Sequence, residues 1–388
     1  MKILIIILLN ILISTTLYAQ DKTVRFAAWA GNENINNWID TFVSAELREH
    51  YGINLERVPI NDAQDAIQKL IRDKRLGRET GSVDLLWVNG ENFKMMKDNQ
   101  LSWKPFLYEL ENAKYVDLDD PTIANDFGTK HEGHEMPWGS AQMVFIYDTA
   151  KVKSPPKTLD ELINWIKSNP GKFTYSAPPD FTGSAFIRQT LLNLIGREEY
   201  NKLASSLSED DLKMQLKKLW LLLNEIEPYL YRAGEFYPES VSKLHQQFSD
   251  GSIWMTMDYY PSTAQRMIDK GIFPKTTRTF VLEEGSLANT HYVTIPFNAP
   301  NKENAKVAAN FLLGIKAQAS KLNPTNWGDF SVLDIDKLPI EDKTILQSVD
   351  LGEATLDLDI LNNSKAQELP ANYIPIIEAE WKKNIIQN

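Results

Sequence analysis

Val24-Arg25-Phe26-Ala27-Ala28 is followed by Trp29-Ala30-Gly31-Asn32, a short β-branched and aromatic run that stops at a turn. A helical face through Trp38, Ile39, Phe42, Val43 and Leu47 then leads to a second strand-like run at 54–58. Ala66, Ile67, Leu70 and Ile71 give the stripe of another helix, closed by Gly77, ahead of a continuous apolar run at 83–88. Alternating strand and helix predicts a doubly wound α/β lobe. A second unit opens after 143–147. Thr158-Leu159-Asp160-Glu161 forms a capping box there, 173–176 and 253–257 read as strands, and 184–195, 210–226 and 240–248 read as helices. Strand runs at 279–281 and 292–295 precede a largely helical remainder that begins at 305–322. No repeat or flexible linker separates the halves, which implies a chain that crosses between lobes more than once.

Composition narrows the function. The chain has 388 residues, no cysteine, 52 acidic against 41 basic side chains and a net charge of -11. Disulfides and cysteine-ligated metals are excluded, and nucleic acid or an anionic membrane is disfavoured as a partner. Lys2 and the apolar run 3–13 before Ala19 read as a secretory signal peptide, too short for a permanent membrane anchor, so the expected product is exported and periplasmic. His131-Glu132-Gly133-His134 has the wrong spacing for a helical zinc site and reads as a solvated loop. No nucleophile elbow or phosphate-cradling glycine loop occurs, so no residue is assigned to catalysis and no metal or cofactor is expected.

In open α/β sheets, ligands bind beyond the carboxyl ends of the strands. The residues there are Trp29 after the first strand, and Asn89, Glu91 and Asn92 after the third, with Trp87 just before them. Pro137-Trp138-Gly139-Ser140 lies ahead of the 143–147 strand, Asp180, Thr182 and Ser184 follow 173–176, and Asp258 and Tyr259 follow 253–257. Aromatic faces with carboxylates suit a cationic or heteroaromatic solute. Thr182-Gly183-Ser184 at a helix start suits either a phosphate or ordinary capping. Tyr259-Tyr260 could serve ferric iron as phenolates, although neighbours on a strand face opposite ways. Of the ten tryptophans, Trp38, Trp165, Trp220 and Trp381 fall on helices and are assigned to packing.

Several runs resemble the solute-binding proteins of ABC importers: Pro156-Lys157-Thr158-Leu159-Asp160-Glu161-Leu162, Pro178-Pro179-Asp180-Phe181-Thr182-Gly183-Ser184, Asp250-Gly251-Ser252-Ile253-Trp254-Met255 and Ala309-Asn310-Phe311-Leu312-Leu313. Asp84-Leu85-Leu86-Trp87-Val88-Asn89-Gly90, Glu135-Met136-Pro137-Trp138-Gly139 and Asn326-Trp327-Gly328-Asp329 resemble the YnjB-type family, described as thiamine-transport binding proteins. The resemblance implies a type II periplasmic binding fold, with two doubly wound lobes joined by a hinge. The first lobe takes 20–143 plus 286–388 and the second 144–285, after removal of 1–19. It implies a small-molecule ligand, thiamine or a thiamine phosphate, held between lobes by a monomer that delivers it to an inner-membrane ABC permease. Trp29, Trp138 and Tyr259 would be stacking faces, Glu91, Asp180 and Asp258 carboxylate partners, and Thr182 and Ser184 the seat of a phosphate. Receptors for an anion, sugar, polyamine or ferric iron, and a secreted hydrolase using a carboxylate pair or Ser184, are the alternatives.

Overall fold

The computed structural model describes residues 22–206 and 208–387. The expected leader at 1–19 lies outside them. In chain order the strands are β1 (Thr23–Trp29), β2 (Asn54–Ile60), β3 (Leu85–Val88), the small hairpin β4 (Asn125–Asp126) and β5 (Thr129–Lys130), β6 (Glu135–Gln142), β7 (Val144–Asp148), β8 (Met255–Asp258), β9 (Thr277–Phe280), β10 (Ser286–Thr294) and β11 (Lys365–Gln367). One sheet has the order β11-β10-β3-β1-β2, with β6 on β10, and the other has β8-β7-β9. β1 runs parallel to β2 and β3, as the alternating strand and helix pattern predicts. β3 is buried along its length, which explains its continuous apolar run. No helix among the described residues is long and apolar enough to cross a membrane.

The chain passes between the sheets in extended conformation. β6 in the first sheet leads through Met143 directly into β7 of the second, and β9 returns through 281–285 to β10. β6 and β10 pair antiparallel, and both are buried throughout. Pro137–Ser140 is therefore part of a strand rather than a segment ahead of one. Proline and glycine conceal it in the sequence, and both are tolerated because the ladder bulges there: His291 pairs with Gly139 and Tyr292 with Pro137, so Trp138 is the extra residue. Where the crossings meet, the Met143 amide donates to Leu287 O (2.8 Å), and the Ser286 hydroxyl donates to the Met143 carbonyl.

The helix Phe181–Ile195 braces this junction. Its residues from Thr182 to Asn193 are all buried. Gln189 donates to Gly285 O (2.8 Å) and accepts from the Leu287 amide (2.8 Å), and Asn193 also donates to Gly285 O (3.0 Å). Residues 173–176, expected as a strand, join no sheet. Their neighbours are irregular chain: the Tyr231 amide donates to Phe173 O and the Ala177 amide to Pro238 O. The helical run expected at 305–322 is two helices, Lys302–Leu312 and Ile315–Leu322, interrupted at Gly314.

The C-terminal segment, expected within the first lobe, packs on both. β11 pairs with β10, but Thr279 Oγ1 donates to Ala354 O (2.6 Å), and Trp381 Nε1 donates to the Tyr175 hydroxyl (3.0 Å). Between these, Glu368 receives Arg188 Nε (2.8 Å), Arg188 Nη2 (3.1 Å) and the Tyr259 hydroxyl (2.6 Å), all buried. A buried guanidinium is tolerated only with such bidentate pairing. Glu368→Gln should destabilise the protein by about 3–5 kcal/mol in urea denaturation, because it leaves the Arg188 charge unbalanced in the interior.

A second buried charge problem is solved by protonation. Asp126 is fully buried beside Glu135, which has no hydrogen-bond partner on either carboxylate oxygen. Burial pushes the Asp126 carboxyl up to about 8, against the amide of Gly90 that donates to its Oδ2 (2.7 Å). Burial, then the nearby Asp126, raises Glu135 well above the carboxylate range. The folded state thus holds protons that the unfolded chain releases near pH 4, so this stability is complete below that pH and is lost as pH rises through about 8. Asp126→Asn should flatten the decline, worth up to about 1.4 kcal/mol per pH unit, in denaturation midpoints measured between pH 5 and 8.5.

Candidate functional site

The carboxyl ends of β1, β2 and β3 face the start of the helix Phe181–Ile195 and the end of β8 across a cleft of about 420 Å³. β6 and β10 contribute its floor, through Ala141 on one strand and Asn289 and His291 on the other. Asn289 and His291 are two apart and so share a face, while Thr290 and Tyr292 turn the other way and donate to Thr122 O and Ile123 O.

Seven of the ten residues assigned to the ligand site from sequence line this cleft: Trp29, Asn89, Asn92, Asp180, Thr182, Asp258 and Tyr259, with Trp87 beside them. Trp29 ends β1, is 40% exposed, and folds over Gly31, where any Cβ would overlap the indole. Asn92 lies in the first turn of the helix Glu91–Asp98, and its buried Oδ1 has no protein partner; Asn289 Oδ1 is in the same state. Asp258 is buried, with Oδ1 accepting from the Tyr260 amide (2.7 Å) and Oδ2 3.4 Å from His245 Nε2. Phe181, 47% exposed, stands against the Tyr259 ring at 5.1 Å.

The other three residues take different places. Glu91 is exposed and lies off the cleft lining. Trp138, the bulge residue, turns into the core and packs with Trp38, Trp87 and Trp327, its centroid 4.9 Å from Trp87 and 5.2 Å from Trp327. It forms the wall behind the cleft rather than a stacking face. Ser184 is buried, donates to Glu378 Oε1 (2.7 Å) and accepts from Arg188 Nη1 (2.8 Å). The phosphate expected at Thr182 and Ser184 meets a helix start already capped: Asp180 Oδ1 accepts from the Gly183 amide (3.0 Å) and the Ser176 hydroxyl (2.6 Å), and Oδ2 accepts from the Val241 amide (3.0 Å). One carboxylate thus begins two helices.

Tyr259 contributes its ring, because its hydroxyl is committed to Glu368. Tyr260 lines the cleft beside it, and burial, followed by the Asp329 and Asp258 carboxylates, pushes its hydroxyl pKa upward. The pair is therefore not a free bis-phenolate. His131 is buried rather than solvated: its Nδ1 accepts from the Gly133 amide (2.9 Å), and burial drives its pKa down to about 4. Among the described residues no group of three or more His, Asp or Glu is arranged to hold a metal ion.

Asn61, Asp62, Phe181, Tyr260, Asn289 and His291 also line the cleft. Asp62, cap of the helix Ala63–Arg75, follows β2 and was within reach of the strand-exit rule. Asn289 and His291 sit inside a strand and carry no local signal. The lining thus holds the carboxylates of Asp62, Asp180 and Asp258, several aromatic faces, and, among the described residues, no lysine or arginine.

The family described as "Bacterial extracellular solute-binding protein" matches residues 37–328. Protein YnjB of Escherichia coli (strain K12) is 40% identical over 331 residues, covering 85% of this chain and 84% of that protein. The spermidine/putrescine ABC transporter substrate-binding protein PotD from Streptococcus pneumoniae superposes with a TM-score of 0.65 at 13% identity, covering 93% of this chain and 99% of that one. A structure titled "Periplasmic thiamin binding protein" gives 0.56 at 13% identity, with 94% and 95% covered. The crossing strands, the shared cleft and these likenesses agree, and the chain belongs to the bacterial extracellular solute-binding proteins, receptors of ABC importers.

Proposed function

We propose that the cleft captures a small cationic, heteroaromatic solute of the thiamine type, and that closure of the lobes about β6 and β10 presents the loaded receptor to an inner-membrane ABC permease. The protein performs no chemistry in this reading and acts as a periplasmic monomer. The observation that carries it is the lining: exposed aromatic faces at Trp29 and Phe181, carboxylates at Asp62 and Asp258, and no cationic side chain among the described residues. A cation stacked on an indole gains roughly 0.5–2 kcal/mol, more when desolvated, and a buried carboxylate such as Asp258 gains from a positive ligand charge. A thiamine phosphate is disfavoured, because the anion would meet carboxylates and a helix start whose Gly183 amide is already taken by the Asp180 cap. Ligand binding favours the closed arrangement only through contacts made to both lobes, and Trp29 and Tyr259 lie on opposite sides.

A linear polyamine is a second reading that the same carboxylates favour. A hydrolase using Ser184 is not favoured, since that hydroxyl is engaged by Glu378 and Arg188 and, among the described residues, no histidine bonds to it. Calorimetry with thiamine, thiamine monophosphate and putrescine separates the readings. Thiamine should bind tightest and its phosphate at least about tenfold more weakly, a difference of about 1.4 kcal/mol. Trp29→Ala should weaken thiamine binding by roughly 2- to 30-fold with the thermal midpoint unchanged. Absence of thiamine binding alongside tight putrescine binding would transfer the assignment to the polyamine.

A further inference from the structure

Within that reading of the cleft as the ligand site, we infer that His291 is a specificity-determining residue, presenting Nδ1 as a fixed hydrogen-bond acceptor for a ligand N–H. Its ring lies nearly parallel to Tyr260 on one hand (6.1 Å between centroids, 25°) and Trp327 on the other (6.0 Å, 24°), with Trp87 at 5.4 Å and 73°. Three aromatic neighbours leave the imidazole little room to turn. Its Nε2 lies 3.1 Å from Asp329 Oδ1, off the line of an ideal hydrogen bond, and neither atom has another partner. The second Asp329 oxygen accepts from Lys321 Nζ (2.8 Å), which also donates to the carbonyls of Asp329 and Phe330; Lys321 and Asp329 are both wholly buried.

This chain fixes the tautomer. The Asp329 carboxylate is acceptor-only, so the His291 nitrogen facing it carries the proton. Lys321 Nζ already engages the other Asp329 oxygen, so Oδ1 is left to the imidazole alone. Nδ1 is then the unprotonated ring nitrogen, and among the described residues no protein donor reaches it. Gly139, directly across the ladder from His291, makes the arrangement possible: a Cβ there would overlap Asp329 Oδ2 and come within 3.1 Å of His291 Cδ2. The Trp138-Gly139 and Trp327-Gly328-Asp329 runs thus serve one purpose, which is to hold the imidazole in the cleft floor. A ligand amino group on a flat heterocycle would satisfy Nδ1, and a carbonyl in its place would not.

The test pairs thiamine with the analogue whose pyrimidine amino group is replaced by oxygen, titrated by calorimetry. The wild type should prefer the amino compound by at least about tenfold, equivalent to about 1.4 kcal/mol. His291→Phe should remove the preference, and His291→Asn, which can place a polar atom near the Nδ1 position, should restore part of it. In Asp329→Asn the amide can keep its oxygen toward Lys321 and donate to Nε2, moving the ring proton to Nδ1, so the preference should reverse. Long-range nitrogen–proton spectra of the ligand-free wild type, with the His291 signals assigned by their loss in His291→Asn, give a reading independent of any ligand. An Nε2–H tautomer is expected; an Nδ1–H tautomer or an imidazolium at pH 7.5 overturns the inference. An unchanged preference in His291→Phe overturns it while leaving the cleft assignment intact. If thiamine gives no heat with the wild type, the ligand assignment fails and the tautomer alone decides the role of His291.

Discussion

The antiparallel ladder between β6 and β10 belongs to two structures at once. It extends the first sheet beyond β3, and both of its strands continue or begin at the passage to the second sheet. Its hydrogen bonds are buried, so exchanging them for water is not an option, and the junction at Met143, Ser286 and Leu287 is further held by Gln189 from the second lobe. The cleft exists because this ladder keeps the two sets of strand ends opposite one another. Its floor is the ladder's own outward face, where small Gly139 and Ala141 stand across from His291 and Asn289.

Around this ladder the interior handles charge in three ways. Arg188 and Glu368 neutralise each other with directional hydrogen bonds. Lys321 and Asp329 do the same and lend the spare carboxylate oxygen to a histidine. Asp126 and Glu135 make no ion pair among the described residues, and burial raises both well above the ordinary carboxylate range, which favours their protonated forms. The first two arrangements abut the cleft and position residues that face it. The third lies behind the Asn89–Asn92 turn, which it reaches through the Gly90 amide.

The first lobe was legible because β1, β2 and β3 alternate with amphipathic helices, and because parallel sheets fix where their ligands sit. Trp29, Asn89 and Asn92 follow from that rule, whereas Asp258 ends β8 of an antiparallel sheet and reaches the cleft from the other side. Trp138 did not, because a bulge decides which way a strand residue points, and a bulge depends on the partner strand. Asn289 and His291 were invisible for a related reason: the strand run is evident in sequence only at 292–295, and only the pairing of its earlier half with β6 makes one face the floor of a cleft. The burial of Lys321 with Asp329 has no local signal, since nothing in the neighbouring sequence announces that the two groups pack together. The helix start at 182–184 was an even choice in sequence between anion site and cap, and in the structure Asp180 caps its Gly183 amide.

The C-terminal segment adds a mechanical element to the molecule. A body suspended from two adjacent strands can rock, twist and splay. Here the chain returns a third time, fastening Ala354 to β9, Glu368 to Arg188 and Tyr259, and Trp381 to Tyr175. A third attachment suppresses twist and splay and leaves rocking as the softest motion.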